Sequence, residues 1–251
     1  MPGHSVTVGL RASPADPEVL VLGQPYWWQW PTILSLDAPV VAVFWQWLLA
    51  HVVSAAFGWS YPFVLGASVW LAYAADRWIE GWRLVPDDIK TQRHHFAQRH
   101  RWPLVAIWTL VLVADVTVAL FTLAPRQLGA GAGLSALVLI YLVSHQFLHR
   151  HHPWRLPKEL CIAGLLMGGV ALFLVTPGDA AALAGPVAMF GLLCFSNCAL
   201  ISAWERDVDA IHGETSLTLQ FRHGGPLSRW LPWCVAAIAA VAFSAALTAG
   251  S

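Results

Sequence analysis

The chain has 251 residues, of which 14 are Lys or Arg and 14 are Asp or Glu, so 11% are charged and the formal net charge is zero. A soluble domain carries about 25% charged residues, whereas this chain is 57% hydrophobic, which excludes a water-facing globular enzyme. Zero net charge excludes the basic field that nucleic-acid binding needs, and the apolar content excludes disorder.

The class that remains is an all-α, polytopic membrane protein. Residues 1–30 show no basic start followed by an apolar run, so no secretory signal is expected. They read as an N-terminal cytoplasmic or interfacial segment ending in Tyr26-Trp27-Trp28-Gln29-Trp30-Pro31, an aromatic cluster suited to a membrane surface. Residues 31–251 read as one transmembrane helical domain. A crossing needs about 20 mostly apolar residues, and seven such spans are expected, at about 32–57, 61–79, 102–124, 128–148, 159–176, 181–204 and 230–249. Trp78, Trp82, Trp102, Trp154, Trp204 and Trp230 fall at span ends, where indole rings favour the interface.

Three polar connections remain, at about 80–101, 149–158 and 205–229. Twelve of the 14 cations lie in or beside them, from Arg77 to Arg229. By the positive-inside rule these connections and the N-terminus are cytoplasmic, and an odd number of spans puts the C-terminus outside. Arginine outnumbers lysine 12 to 2, a bias that fits a GC-rich bacterial genome and hence a bacterial plasma membrane. Cys161, Cys194, Cys198 and Cys234 lie in apolar stretches with no CxxC pair, so they read as buried free thiols.

Two acidic clusters stand out. In Leu71–Gly81, Asp76 and Glu80 are four apart and share a helical face; in Asn197–Leu217, Glu205 and Asp209 repeat that spacing, with Asn197 two turns earlier. Four acids at one mouth of an apolar bundle would repel each other if nothing lay between them. Mg²⁺ takes hard oxygen ligands and usually completes its shell with substrate phosphates, so the paired acids suit a diphosphate held through metal. The plainer alternative is solvated interfacial ion pairing with Arg77 and Arg206.

On these residues the chain resembles the UbiA superfamily of intramembrane prenyltransferases. That family carries an NDxxDxxxD-type motif ending its second helix and a DxxxD-type motif ending its sixth. Asp76 and Glu80 match the last two acids of the first motif, and Glu205 and Asp209 match the second. The segment Gly213-Glu-Thr-Ser-Leu217 resembles the short G…TL segment that follows. Ala72 and Tyr73 stand where the family has Asn and its first Asp, and seven spans are two fewer than its usual nine, marks of a divergent member.

The resemblance implies a helical bundle around a central, lipid-open cavity, acting on a prenyl diphosphate by transfer to a lipophilic acceptor or by cyclisation. It implies Mg²⁺ held by Asp76, Glu80, Glu205 and Asp209, which are the catalytic candidates; Tyr73, one turn before Asp76, joins them by position, to stabilise a carbocation, hydrogen-bond the substrate or simply line the bundle. Metal and cations would stabilise the departing diphosphate. Arg77, Arg93 and Lys158 are the candidates for phosphate oxygens, and Asn197 and Asp115 are further substrate-binding candidates. Asp115 lies mid-span among Val111–Val118, where an ionisable group is costly and faces the bundle interior.

Two other classes stay open. His145, His149 and His152 share a helical face, and His94, His95 and His100 sit in the first polar connection, while His212 and His223 stand apart. Imidazole clusters at membrane mouths are the mark of histidine-ligated di-iron hydroxylases and desaturases; no HExxH zinc motif is present. A non-catalytic isoprenoid- or lipid-binding membrane protein is the third class, favoured by Ala72 and Tyr73.

Overall fold

The computed structural model describes residues 25–55, 57–83, 91–145, 156–174, 180–212, 216–221 and 224–249. Among these, the chain is helical with no strand. A 3-10 turn at Trp27–Gln29 leads into α1 (Trp30–Ile33), α2 (Asp37–Val52), α3 (Ser60–Arg83), α4 (Gln92–Arg99), α5 (Arg101–Thr122) and α6 (Pro125–Val143). The second half comprises α7 (Lys158–Leu172), α8 (Ala180–Trp204), α9 (Arg206–His212), α10 (Leu217–Gln220) and α11 (Gly224–Ala249).

A helix covers most of each of the seven segments expected to cross the membrane. Four of them, α5, α6, α8 and residues Gly224–Ala245 of α11, are long and apolar enough to cross a bilayer, and a bent pair brings the number to five. That pair is Trp27–Ile33 with Asp37–Val52, which meet at 81°. The first expected span is therefore broken rather than continuous. Ser35 takes a left-handed backbone, with φ of 59°, at the break. Two donors from α3 hold the bend: Trp70 Nε1 donates to Leu34 O at 3.0 Å, and Arg77 Nη1 donates to Thr32 O at 2.7 Å.

The other two segments fall short for different reasons. Helix α3 has the length, but its last turns carry Asp76, Arg77, Glu80 and Arg83. Helix α7 has 15 residues, about 22 Å at 1.5 Å per residue, against a hydrocarbon core of about 30 Å.

The main core joins α2, α3, α7 and α8, through Leu49, Leu65, Val170, Leu183 and Phe190. A second cluster joins α3, α4 and α5 through Ala74, Trp78, Ala97 and Leu104. The outer helices turn large apolar side chains outward: Val116, Leu120 and Phe121 on α5, Leu137 and Ile140 on α6, Trp233, Val241 and Phe243 on α11. Helix α6 buries no residue at all. Such surfaces match lipid rather than water, and the chain is a membrane protein.

Trp102, Trp204 and Trp230 are exposed as expected of interfacial rings, but Trp78 is 6% exposed and belongs to the core. The cysteines are all free; Cys194 is buried, whereas Cys234 is exposed on α11.

Candidate functional site

The first acidic pair stays on one helix, since α3 runs unbroken past Glu80. Helix α4 then folds back onto the last turn of α3. Gly81 makes that approach possible: a Cβ there would stand 3.3 Å from the His94 backbone. Gln98 Nε2 donates to Gly81 O at 3.0 Å and Trp82 Nε1 to Ala97 O at 3.2 Å, locking the two helices. The docking sets His94 against Glu80, with Nε2 3.5 Å from Oε2, while Thr91 Oγ1 lies 2.9 Å from the other ring nitrogen.

The second pair is shaped by a helix break. Glu205 is the bend between α8 and α9, and the Asp209 amide donates to its carbonyl at 2.7 Å. Arg93, from α4, reaches across to Glu205 with both terminal nitrogens, at 3.0 and 2.9 Å to the two carboxylate oxygens. Lys158, the first residue of α7, places Nζ 3.7 Å from Asp209 Oδ1. Its neighbour Glu159, 1% exposed, accepts the Leu217 amide at 2.9 Å. Ser216 hydrogen-bonds to Asp209, and Thr218 Oγ1 donates to Ser202 O at 3.0 Å. The segment after α9 is thereby tied to both α7 and α8. Gly224 closes this corner, because a Cβ there would lie 2.6 Å from Leu217 O.

Acids from α3, the α8–α9 bend and α9 thus meet cations from α4 and α7 at one end of the bundle. Burial alone would raise the Glu80 carboxyl, but the His94 contact and the nearby Lys158 and Arg93 outweigh it and hold Glu80 at about 2. Burial pulls Arg93 down, and Glu205 and Glu80 together outweigh it, so its pKa is raised. At Asp209 burial wins over Lys158 and Ser216, helped by the charges of Glu205 and Glu80, and the pKa rises.

The remaining candidates divide. Asp76 is half-buried, one turn before Glu80 on α3. Arg77 belongs to the α1–α2 bend: besides Thr32 O it meets Asp37 Oδ2 at 3.7 Å and donates to the Tyr73 hydroxyl, with its guanidinium carbon 3.9 Å from the centre of the Tyr73 ring. Tyr73 in turn hydrogen-bonds Asp37 at 3.5 Å and lies within electrostatic reach of Arg93. In this structure the Arg77 donors serve the N-terminal bend.

Asn197 also departs from the expected grouping. It lines a groove of about 450 Å³ between α8 and α11, with Trp45, Ser196, Leu200 and Ala236 among its walls and none of the four acids. Cys198, seven residues and two turns before Glu205, lies within electrostatic reach of Lys158 and Glu159. Asp115 is 6% exposed and accepts Ser68 Oγ at 2.8 Å, linking α5 to α3 within the apolar layer.

Of the histidines, His145 is buried and packs on Tyr141 with ring centres 5.4 Å apart, and His100 Nδ1 donates to Phe96 O. His149, His151, His152 and His223, and the His212 side chain, lie outside the described residues.

The donor chemistry of four carboxylates suits Mg²⁺, but among the described residues no three His, Cys, Asp or Glu side chains are grouped to hold a metal ion. Glu205 and Asp209 are ion-paired to Arg93 and Lys158, and Glu80 contacts His94. As placed, the acids form an ion-pair network and not a metal cage. No family model, curated protein or solved structure matches this chain.

Proposed function

We propose that the chain is an intramembrane enzyme of the UbiA-like kind, acting on a prenyl diphosphate by transfer to a lipophilic acceptor or by cyclisation. One observation carries the reading. Acids and cations more than 100 residues apart in sequence meet at one end of an apolar bundle, as Arg93 and Glu205 do. A prenyl diphosphate has the same division, an anionic head on an apolar tail.

In this proposal Arg93 takes phosphate oxygens as a two-pronged donor and Lys158 as a point charge. Both stabilise the charge that grows on the diphosphate as the carbon–oxygen bond ionises. Tyr73 presents a ring beside Arg93 toward the forming carbocation. Glu80, Glu205 and Asp209 keep the cations in place, and Asp76 extends the acidic face. Mg²⁺ enters through the oxygen-donor chemistry of these acids alone. Seven spans around a central chamber, cytoplasmic motif loops and a bacterial plasma membrane complete the proposal.

The test is release of diphosphate by the purified chain in lipid nanodiscs, supplied with geranyl, farnesyl or geranylgeranyl diphosphate and Mg²⁺. Release that falls by about 100-fold in Arg93→Gln and Asp209→Asn would support the reading; no release from any of the three substrates would reject it. One observation favours a second reading, a binding protein without chemistry: the acids are already matched by cations. Saturable binding of a prenyl diphosphate with no turnover would establish that reading instead.

A further inference from the structure

We infer that the lipid-facing groove between α8 and α11 is the contact surface of a symmetric dimer, in which Asn197 of each copy pairs with Asn197 of the other. The groove walls include none of the four acids, so this contact and the ion-paired mouth are separate surfaces.

One amide is out of place in lipid. Asn197 is exposed on α8, a helix long and apolar enough to cross the membrane. It lies seven residues before Trp204, the exposed ring at the mouth, and so about 10 Å inside the apolar layer. Among the described residues its carboxamide has no hydrogen-bond partner. An Asn side chain is too short to reach the headgroups from that depth, as a Lys or Arg can. Acyl chains offer neither donor nor acceptor, and an unpaired amide in hydrocarbon is costly. The surroundings form a seat: Leu193 and Leu200 of α8, Trp45 of α2, and Pro232, Ala236 and Ala239 of α11 wall a groove of about 450 Å³. Ala236 and Ala239 share a face and are small enough for a second backbone to come close. Phe243, 67% exposed, continues that face one turn on.

Symmetry selects the occupant. A carboxamide carries both a donor and an acceptor, so its partner must bring both to the same depth. Two copies inserted in the same orientation are related by a two-fold axis along the membrane normal. That axis sets the same patch of each copy against the other, groove against groove and Asn197 against Asn197 at equal depth. Each amide then donates to the other's carbonyl oxygen, and both are satisfied. Apolar packing does not by itself hold the copies together, because lipid tails are as apolar as leucine; the amide pair and the close approach at Ala236 and Ala239 supply the attraction.

Counting bleaching steps tests this on the full chain, labelled with one fluorophore at its N-terminus and diluted in vesicles of phosphatidylcholine and phosphatidylglycerol. The unaltered chain should bleach in two steps and pass to one step as lipid is added. Asn197→Leu should raise the protein-to-lipid ratio needed for pairing by about tenfold, whereas Asn197→Gln, which keeps a carboxamide, should stay within about threefold. Ala239→Trp fills the groove and leaves the amide in place; it should raise that ratio by about tenfold or more, and serves if Asn197→Leu does not fold. A single bleaching step for the unaltered chain at every dilution overturns the dimer. A dimer whose dissociation is unmoved in both Asn197→Leu and Ala239→Trp overturns this contact. A single-step chain that copurifies with a lipophile, lost in Ala239→Trp, would make that molecule the occupant and overturns the dimer too.

Discussion

Arg93 and Glu205, 112 residues apart in sequence, form a two-pronged ion pair that joins α4 to the bend between α8 and α9. Arg93 also acts on Glu80, so the pair connects the two acidic clusters. Its side chains are 18% and 30% exposed, so solvent screens it in part. A double-mutant cycle with Arg93→Gln and Glu205→Gln should give a coupling of about 1–2 kcal/mol to stability. The measurement is the unfolding midpoint in denaturant-titrated micelles. Additive effects of the two changes would show that the pair holds nothing together.

Arg77 is expected to matter for stability and not for substrate affinity. It holds Thr32 O, Asp37 and Tyr73, all of which fix the 81° bend before α2. Arg77→Gln should cost about 1–2 kcal/mol and expose the segment from Tyr26 to Leu36 to limited proteolysis. The KM for a prenyl diphosphate should stay within about twofold of the unaltered chain, since uniform binding is untouched. A tenfold rise in KM at an unchanged melting temperature would restore Arg77 to the phosphate site.

Asp115 gives a similar contrast. Its bond with Ser68 ties α5 to α3 within the apolar layer. Bonds of this kind between membrane helices are worth about 0.6 kcal/mol on average, and an Asp115→Asn, Ser68→Ala cycle should return a value of that order. Turnover in Asp115→Asn should match the unaltered chain. Turnover abolished at full stability would make Asp115 a participant in the chemistry.

The sequence made the helical class, the seven apolar segments and both acidic clusters legible, because hydropathy and helical spacing are local properties. What it hid depends on contacts between distant segments. Asp76 and Glu80 lie on one continuous helix, as their spacing implies, yet nothing local announces that α8 breaks at Glu205. Asn197 and Cys198 are adjacent in sequence, and only packing decides that the first faces α11 while the second faces Lys158. Arg77 reads as a phosphate ligand because it lies close to the proposed cytoplasmic mouth; its use at the α1–α2 bend follows from a break that hydropathy cannot register. His94 drew attention as part of a histidine cluster, whereas its neighbour across space is Glu80. Gly81 and Gly224 mark the two closest backbone approaches at the site, a signal that could have located both corners.

The two perturbed acids make opposite predictions for stability in acid. Glu80 is held at about 2, below its usual 4.5, so its contribution is fully present above pH 4.5 and is lost as the pH falls toward 2. Asp209 is raised above its usual 3.8, so its charged form costs stability, and that cost is relieved as the pH falls through its raised value. Acidification of the metal-free chain in chelator should therefore relieve the strain at Asp209 and remove the support from Glu80. The unfolding midpoint against pH should lose the Asp209 gain in Asp209→Asn and the fall between pH 4.5 and 2 in Glu80→Gln. His94→Gln, which removes the partner that lowers Glu80, should make that fall smaller and end it at higher pH, while its start stays near 4.5. A profile identical in all four chains would show that neither carboxyl is held in the described network.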